Sequence, residues 1–158
     1  MEIDRANILN ELGKYFNVKE LVCDHTYSKF TEKSWQFLDT YVLAWLLLMR
    51  TEILKAPMFI NGVINGVKYT QRGLRCNMCD IVKGKKNTYL GGHVLGKAFD
   101  VTVTGMTAEE ARNKIKAFAK DHPEKCPCNL RLEDGVSWLH FDVIPQFGIK
   151  DIVYSFKA

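Results

Sequence analysis

The amino-acid sequence predicts an α+β fold, a small antiparallel sheet with helices packed on one of its faces. Three observations predict it. Apolar residues at helical spacing dominate the first third, alternating strand patterns dominate the last, and a capped amphipathic helix separates two of the strands. Taken in order, Ile3, Ile8, Leu9, Leu12 and Phe16 form one apolar helix face near the start. Thr31 is placed to cap a long helix that ends before Pro57, with Trp35, Leu38, Val42, Trp45, Leu46, Met49 and Ile53 as its core-facing stripe. Met58-Phe59-Ile60 then reads as a strand, and Asn61-Gly62 and Asn65-Gly66 as turns.

Residues 70–92 are polar, glycine-bearing and irregular, and loops of that length in compact domains are often functional. Residues 98–104 form a strand that turns Phe99, Val101 and Val103 to one side and Ala98, Asp100, Thr102 and Thr104 to the other. Thr107-Ala-Glu-Glu110 has the form of a capping box and opens a helix that closes before Pro123. Residues 129–133 and 136–143 flank Asp134-Gly135, a strong dipeptide for a two-residue hairpin turn, and residues 152–156 add a short strand.

A chain of 158 residues fits one domain around one core, residues 1–158. Its 47% hydrophobic and 25% charged residues match a globular protein and argue against disorder. The net charge of +4 is spread along the chain, and the densest basic run, Lys83-Gly84-Lys85-Lys86, reads as a solvated loop. Nucleic acid is therefore not the expected partner, whereas a mild basic excess suits an anionic polymer. The start of the chain lacks the pattern of a signal peptide, and the longest apolar run, residues 41–49, is too short to span a membrane. The expectation is a monomer made in the cytoplasm. Five cysteines, an odd count without an export signal, argue against a disulfide framework. Cys76-x-x-Cys79 and Cys126-x-Cys128 offer a structural zinc only if the fold unites them, so reduced thiols are the preferred reading.

The chemistry concentrates in two segments. In the first, residues 91–100, His93 follows two glycines and Asp100 lies inside a strand, among apolar neighbours that make an unpartnered carboxylate costly. In the second, residues 137–143, alternation puts Trp138, His140 and Asp142 on one face. If the two strands are neighbours, Asp100 and His140 come about 5 Å apart as a cross-strand pair. Two imidazoles and a carboxylate are a recognised zinc set that leaves a position for water. The bland alternative is a hydrogen-bonded His and Asp in a half-buried sheet.

The pattern His93-x-x-Gly96-x-Ala98-x-Asp100 followed by Trp138-x-His140 resembles the zinc D-alanyl-D-alanine carboxypeptidase family. That family includes vancomycin-resistance D,D-dipeptidases and phage L-alanyl-D-glutamate endolysins, and it shares its fold with the hedgehog signalling domain. Phe16-Asn-Val-Lys-Glu20-Leu-Val-Cys23, the helical stretch after it and the arginine-bearing loop are similar to small phage-type members, so the likeness covers residues 14–156. The resemblance implies one Zn2+ per chain on His93, Asp100 and His140, a peptidoglycan stem peptide as substrate, and action at the cell wall after lysis-associated release or as part of a virion.

The catalytic base is less plainly marked. Many members carry an acid three residues before the last histidine, where this chain has Ser137; hedgehog-type members have one six residues before, where it has Asp134. Glu133 is preferred because Arg-Leu-Glu133 before Val-Ser-Trp-Leu-His140 resembles phage-type members. A two-residue turn, however, pairs Glu133 with Val136, roughly 13 Å of strand from His140. Arg72, ahead of Arg75, is expected to grip a carboxylate or an anionic intermediate. Asp142 is placed to orient a ligand histidine, and His25 and His122 read as surface residues. Gly91 stands where relatives often have serine. With Ser137, that departure leaves as the alternative a catalytically inactive zinc-binding structural or cell-wall-binding domain.

Overall fold

A computed structural model describes residues 3–157. Asp4 caps α1 (Arg5–Leu12) by accepting from the amides of Ala6 and Asn7, and the helix buries Ile8 and Leu12. A reciprocal capping box between Asn17 and Glu20 opens α2 (Val18–Leu21), and α3 (Asp24–Phe30) follows, ending at Thr31 with φ 47°. Thr31 therefore ends one helix instead of capping a long one. A 3-10 turn covers Thr31–Phe37, Leu38 is extended, and Asp39 caps α4 (Thr40–Leu48), which runs on into a π-type turn at Met49–Ile53.

The break in the expected long helix has a tertiary cause. The Asp39 amide donates to the Gly96 carbonyl at 2.9 Å, so the turn carrying His93 docks on the interrupted helix. A side chain at Gly96 could not be accommodated, because its Cβ would lie 2.1 Å from the Phe37 carbonyl oxygen. The apolar stripe survives the break: Leu38, Val42, Trp45, Leu46 and Met49 are all buried.

The strands are β1 (Met58–Phe59), β2 (Gly62–Ile64), β3 (Val67–Tyr69), β4 (Ala98–Val103), β5 (Leu130–Glu133), β6 (Leu139–Asp142) and β7 (Val153–Phe156). β2 and β3 form a separate hairpin whose turn residues Asn65 and Gly66 have φ 50° and 78°, the conformation a two-residue turn requires. Asn61 is more than a turn residue: its side chain donates to the Val22 carbonyl and accepts from the Arg72 amide, joining two loops. The main sheet has the order β1-β4-β6-β5-β7. Its pairings are antiparallel except that β7 lies parallel to β5, because residues 143–152 cross over before the last strand joins the edge. The sheet is thus mixed at one edge and not wholly antiparallel. Between the hairpin and the sheet runs the predicted loop, which includes the short α5 (Asp80–Lys83). The capping box of Thr107 and Glu110 forms as predicted and opens α6 (Ala108–Asp121).

One face of the sheet presents Phe99, Val101, Leu130, Leu132, Leu139 and Phe141 to a buried cluster shared with Val42, Trp45 and Met49 and with Ala111 and Ile115 of α6. Burying each large apolar side chain of this kind contributes about 1.5–3 kcal/mol. The opposite face carries Asp100, Arg131, Glu133, His140 and Asp142. Among the described residues no helix is long and apolar enough to cross a membrane.

Candidate metal centre

Strand pairing sets the centre. Asp100 of β4 lies directly opposite His140 of β6, and His140 Nδ1 is 2.7 Å from Asp100 Oδ1. His93 comes from the glycine-rich turn before β4, with Nε2 3.3 Å from Asp100 Oδ2 and its ring centroid 5.3 Å from that of His140. Ligand atoms of His93, Asp100 and His140 all lie within 4.8 Å of one another, and the three side chains are buried or nearly so. The three residues read from the sequence are thus brought to one point.

Their outer partners make the donor set suitable for a cation. The Gly73 carbonyl can only accept, so His93 Nδ1 donates to it across 2.8 Å, and the ring is thereby turned with Nε2 toward Asp100. His140 Nε2 faces Asp142 Oδ2 at 3.3 Å, which leaves Nδ1 toward the same point. Asp142 is itself fixed by two bonds from Arg131, at 2.7 and 2.9 Å, and by the Ile144 amide at 3.0 Å. The expected orienting role of Asp142 therefore has geometric support. Burial opposes ionisation of Asp100, but hydrogen bonds and attraction from His140 and His93 outweigh it and hold the carboxyl well below the usual range. Burial likewise disfavours a charged His140, yet Asp100 and Asp142 raise its pKa to about 9. Such carboxylate pressure on an imidazole is what a divalent ion relieves by replacing the proton. Two nitrogens and a carboxylate, with ligand atoms converging and outer contacts already made, fit zinc.

Glu133 reaches the centre by a register the dipeptide Asp134-Gly135 did not predict. Arg131 pairs with Asp142 and Leu132 with Phe141, so the next step along puts Glu133 beside His140, with Oε2 3.9 Å from Nδ1. The two-residue turn does not form, and residues 134–138 make a wider loop. The cause is Arg112, whose side chain is buried beneath that loop. Its guanidinium donates to the carbonyls of Glu133, Val136 and Trp138 at 3.1, 3.3 and 3.3 Å and thereby holds the loop open. Arg112 comes from α6 and is 3% exposed. Asp134 turns away from the centre toward Arg112 and Lys116, at 3.7 and 3.8 Å.

The two arginines divide their work. Arg75 Nη2 donates to Asp100 Oδ2 at 3.2 Å, whereas Arg72 donates to Thr102 at 2.7 Å and stacks 3.7 Å above the Tyr69 ring. Thr102 shares the face of Asp100 one pleat further along β4, so the Arg72 guanidinium flanks the centre without bonding to a ligand side chain. The backbone of the same loop is equally involved, since the Arg72 carbonyl accepts from the Asp100 amide at 2.8 Å and the Arg75 amide donates to the His93 carbonyl at 3.1 Å. A groove of about 700 Å³ lined by Lys19, Tyr27, Asn61, Lys68 and Tyr69 holds none of the three ligands. Donor chemistry, and not cavity size, locates this centre.

A second group meets elsewhere. Cys76 and Cys79 converge with Cys23 and His25, and not with Cys126 and Cys128. The sequence signal for this was the Cys23-x-His25 spacing, which a surface reading of His25 passes over. The Cys128 carbonyl is instead bound by Trp45 Nε1 at 3.1 Å, and the Cys126 thiol faces the His122 carbonyl. Among the described residues two groups, where one zinc was expected, could hold a metal ion. Compared with protein-family models, curated proteins and solved structures, the chain matches none of them.

Proposed function

We propose that the chain is a zinc-dependent peptidase that cleaves peptidoglycan stem peptides, on a fold of the hedgehog and D,D-peptidase type. The observation that carries this reading is the convergence of His93, Asp100 and His140 with Glu133 beside them, 3.9 Å from His140 Nδ1. Zinc held there would supply a Lewis acid for the scissile carbonyl and bring the pKa of a water toward 7. Glu133 takes the proton of the attacking water and passes it to the leaving amine, a transfer that needs a carboxylate within reach of both atoms. Arg75 holds Asp100 in its ligating orientation. Arg72, supported by Tyr69 and Thr102, grips the substrate carboxylate or the developing oxyanion. With a net charge of +4, the protein is suited to an anionic wall polymer, which it meets after lysis-associated release or from a virion.

The test is digestion of purified peptidoglycan by the zinc-loaded protein and by zinc-loaded Glu133→Gln, with released peptides identified by mass spectrometry. The expected result is soluble stem-peptide fragments from the wild type alone. An intact wall after incubation with a fully metal-loaded wild type would overturn the peptidase reading and leave a metal-binding module.

A further inference from the structure

Cys23, His25, Cys76 and Cys79 come from two segments held in register. A parallel bridge joins Val22 to Leu74, the Cys23 amide donates to the Leu74 carbonyl, and the Leu74 amide donates to the Leu21 carbonyl, both at 2.9 Å. The approach is so close that a Cβ on Gly73 would lie 2.1 Å from the Leu21 carbonyl oxygen, so only glycine fits. One residue beyond Val22 and two beyond Leu74, Cys23 and Cys76 are delivered to the same place. His25 Nδ1 stands 3.7 Å from Cys76 Sγ and 3.9 Å from Cys79 Sγ, and all four ligand atoms lie within 4.8 Å of one another. Zinc–sulfur bonds of about 2.3 Å and zinc–nitrogen bonds of about 2.0 Å at tetrahedral angles place nitrogen and sulfur roughly 3.6 Å apart, close to the two His25–cysteine distances. The Met78 amide donates to Cys76 Sγ at 3.4 Å, the outer contact expected around a ligand thiolate.

We infer that these four residues form a closed Cys3His site for a structural zinc ion, which anchors the loop supporting the sheet centre. Three soft thiolates and an imidazole select zinc, and four protein ligands leave no position for water or substrate. The anchoring follows from adjacency. Residues 72–75, immediately before Cys76, provide the carbonyls that accept from Asp100 and His93 and the guanidinium that holds Asp100. The cysteine site stands on its own geometry; only its consequence for hydrolysis rests on the peptidase reading.

The experiment is cobalt substitution and zinc analysis of the full chain, purified under reducing conditions. The wild type is expected to bind two metals and to show intense thiolate-to-cobalt charge-transfer absorption. His140→Ala should keep one metal and that absorption, whereas Cys79→Ser and His25→Ala should lose the absorption or shift it. Thiol reactivity of the wild type provides a measurement that needs no variant: three of the five cysteines should be protected with zinc and released by a chelator. Cobalt protein without charge-transfer absorption, or thiols equally reactive with and without zinc, would overturn the site. Loss of metal from the sheet centre alone bears on the peptidase reading and leaves this one intact. The anchoring claim has its own readout: Cys79→Ser should weaken metal binding at the sheet centre by about 10–100-fold, as loss of outer-shell support does.

Discussion

The sheet centre and the cysteine cluster lie at two ends of one stretch of loop, yet they are built in opposite ways. Two of the three sheet ligands stand on neighbouring strands, where a cross-strand pair fixes Asp100 against His140, and the third arrives on a turn docked against the broken helix at Asp39. The cysteine ligands come from the edges of loops and short helices, held by a single parallel bridge at Val22 and Leu74. Three hard or borderline donors leave room for chemistry, whereas three thiolates and a histidine close a coordination sphere. The difference teaches that rigid secondary structure carries the group expected to react, while the loop beside it relies on a cross-link of its own. The thiols alone are poorly matched. Burial raises Cys23, but hydrogen bonds from Thr26 and from the Cys76 backbone bring it down to about 6, while burial and the neighbouring Cys23 push Cys79 up to about 12. A cation would remove that conflict.

The comparison breaks most visibly at His140. His140→Ala is expected to abolish peptidoglycan hydrolysis and remove one metal, leaving the cysteine-bound metal in place; elemental analysis beside a digestion assay checks both. Next comes Glu133→Gln, for which kcat should fall by about 10²–10⁴-fold, the usual worth of a general base, with the full metal content retained. A variant that loses metal instead would make Glu133 a ligand and not a base. Arg112→Ala tests the loop that positions Glu133 without touching either cluster. It should destabilise the protein by about 2–3 kcal/mol, since buried carbonyls lose their donors, as chemical denaturation would measure. Asp142→Asn weakens only the sheet centre, lowering its metal affinity by about 10–100-fold in a competition titration while the cysteine site is unchanged. The smallest effect belongs to Asp134→Asn. Its ion pairs are partly exposed and worth about 1 kcal/mol or less, so hydrolysis rates should stay close to those of the wild type. A large loss there would transfer the base from Glu133 to Asp134.

Local patterning settled a good deal of this protein in advance. Alternation along residues 98–104 and 138–143 put Asp100, His140 and Asp142 on one side of their strands, because the strand period depends on backbone geometry alone. The capping box at Thr107 and Glu110 and the turn at Asn65-Gly66 were equally legible, since each is satisfied within a few residues. The α+β class followed from the order of such segments.

What only the tertiary structure decided were relations between distant segments. The hairpin register that brings Glu133 to His140 depends on Arg112, a residue on another element whose guanidinium outweighs the turn preference of Asp134-Gly135. The helix break at Leu38 and Asp39 depends on the turn at Gly96, and the meeting of Cys23 and His25 with Cys76 and Cys79 depends on backbone pairing between residues about fifty apart in sequence. Local propensities are worth tenths of a kcal/mol to about 1 kcal/mol per residue, and a buried network or a docked turn exceeds that. For that reason the residues of the centre could be read from their spacing, while the strand register, the loop and the second metal site had to be seen in the folded chain.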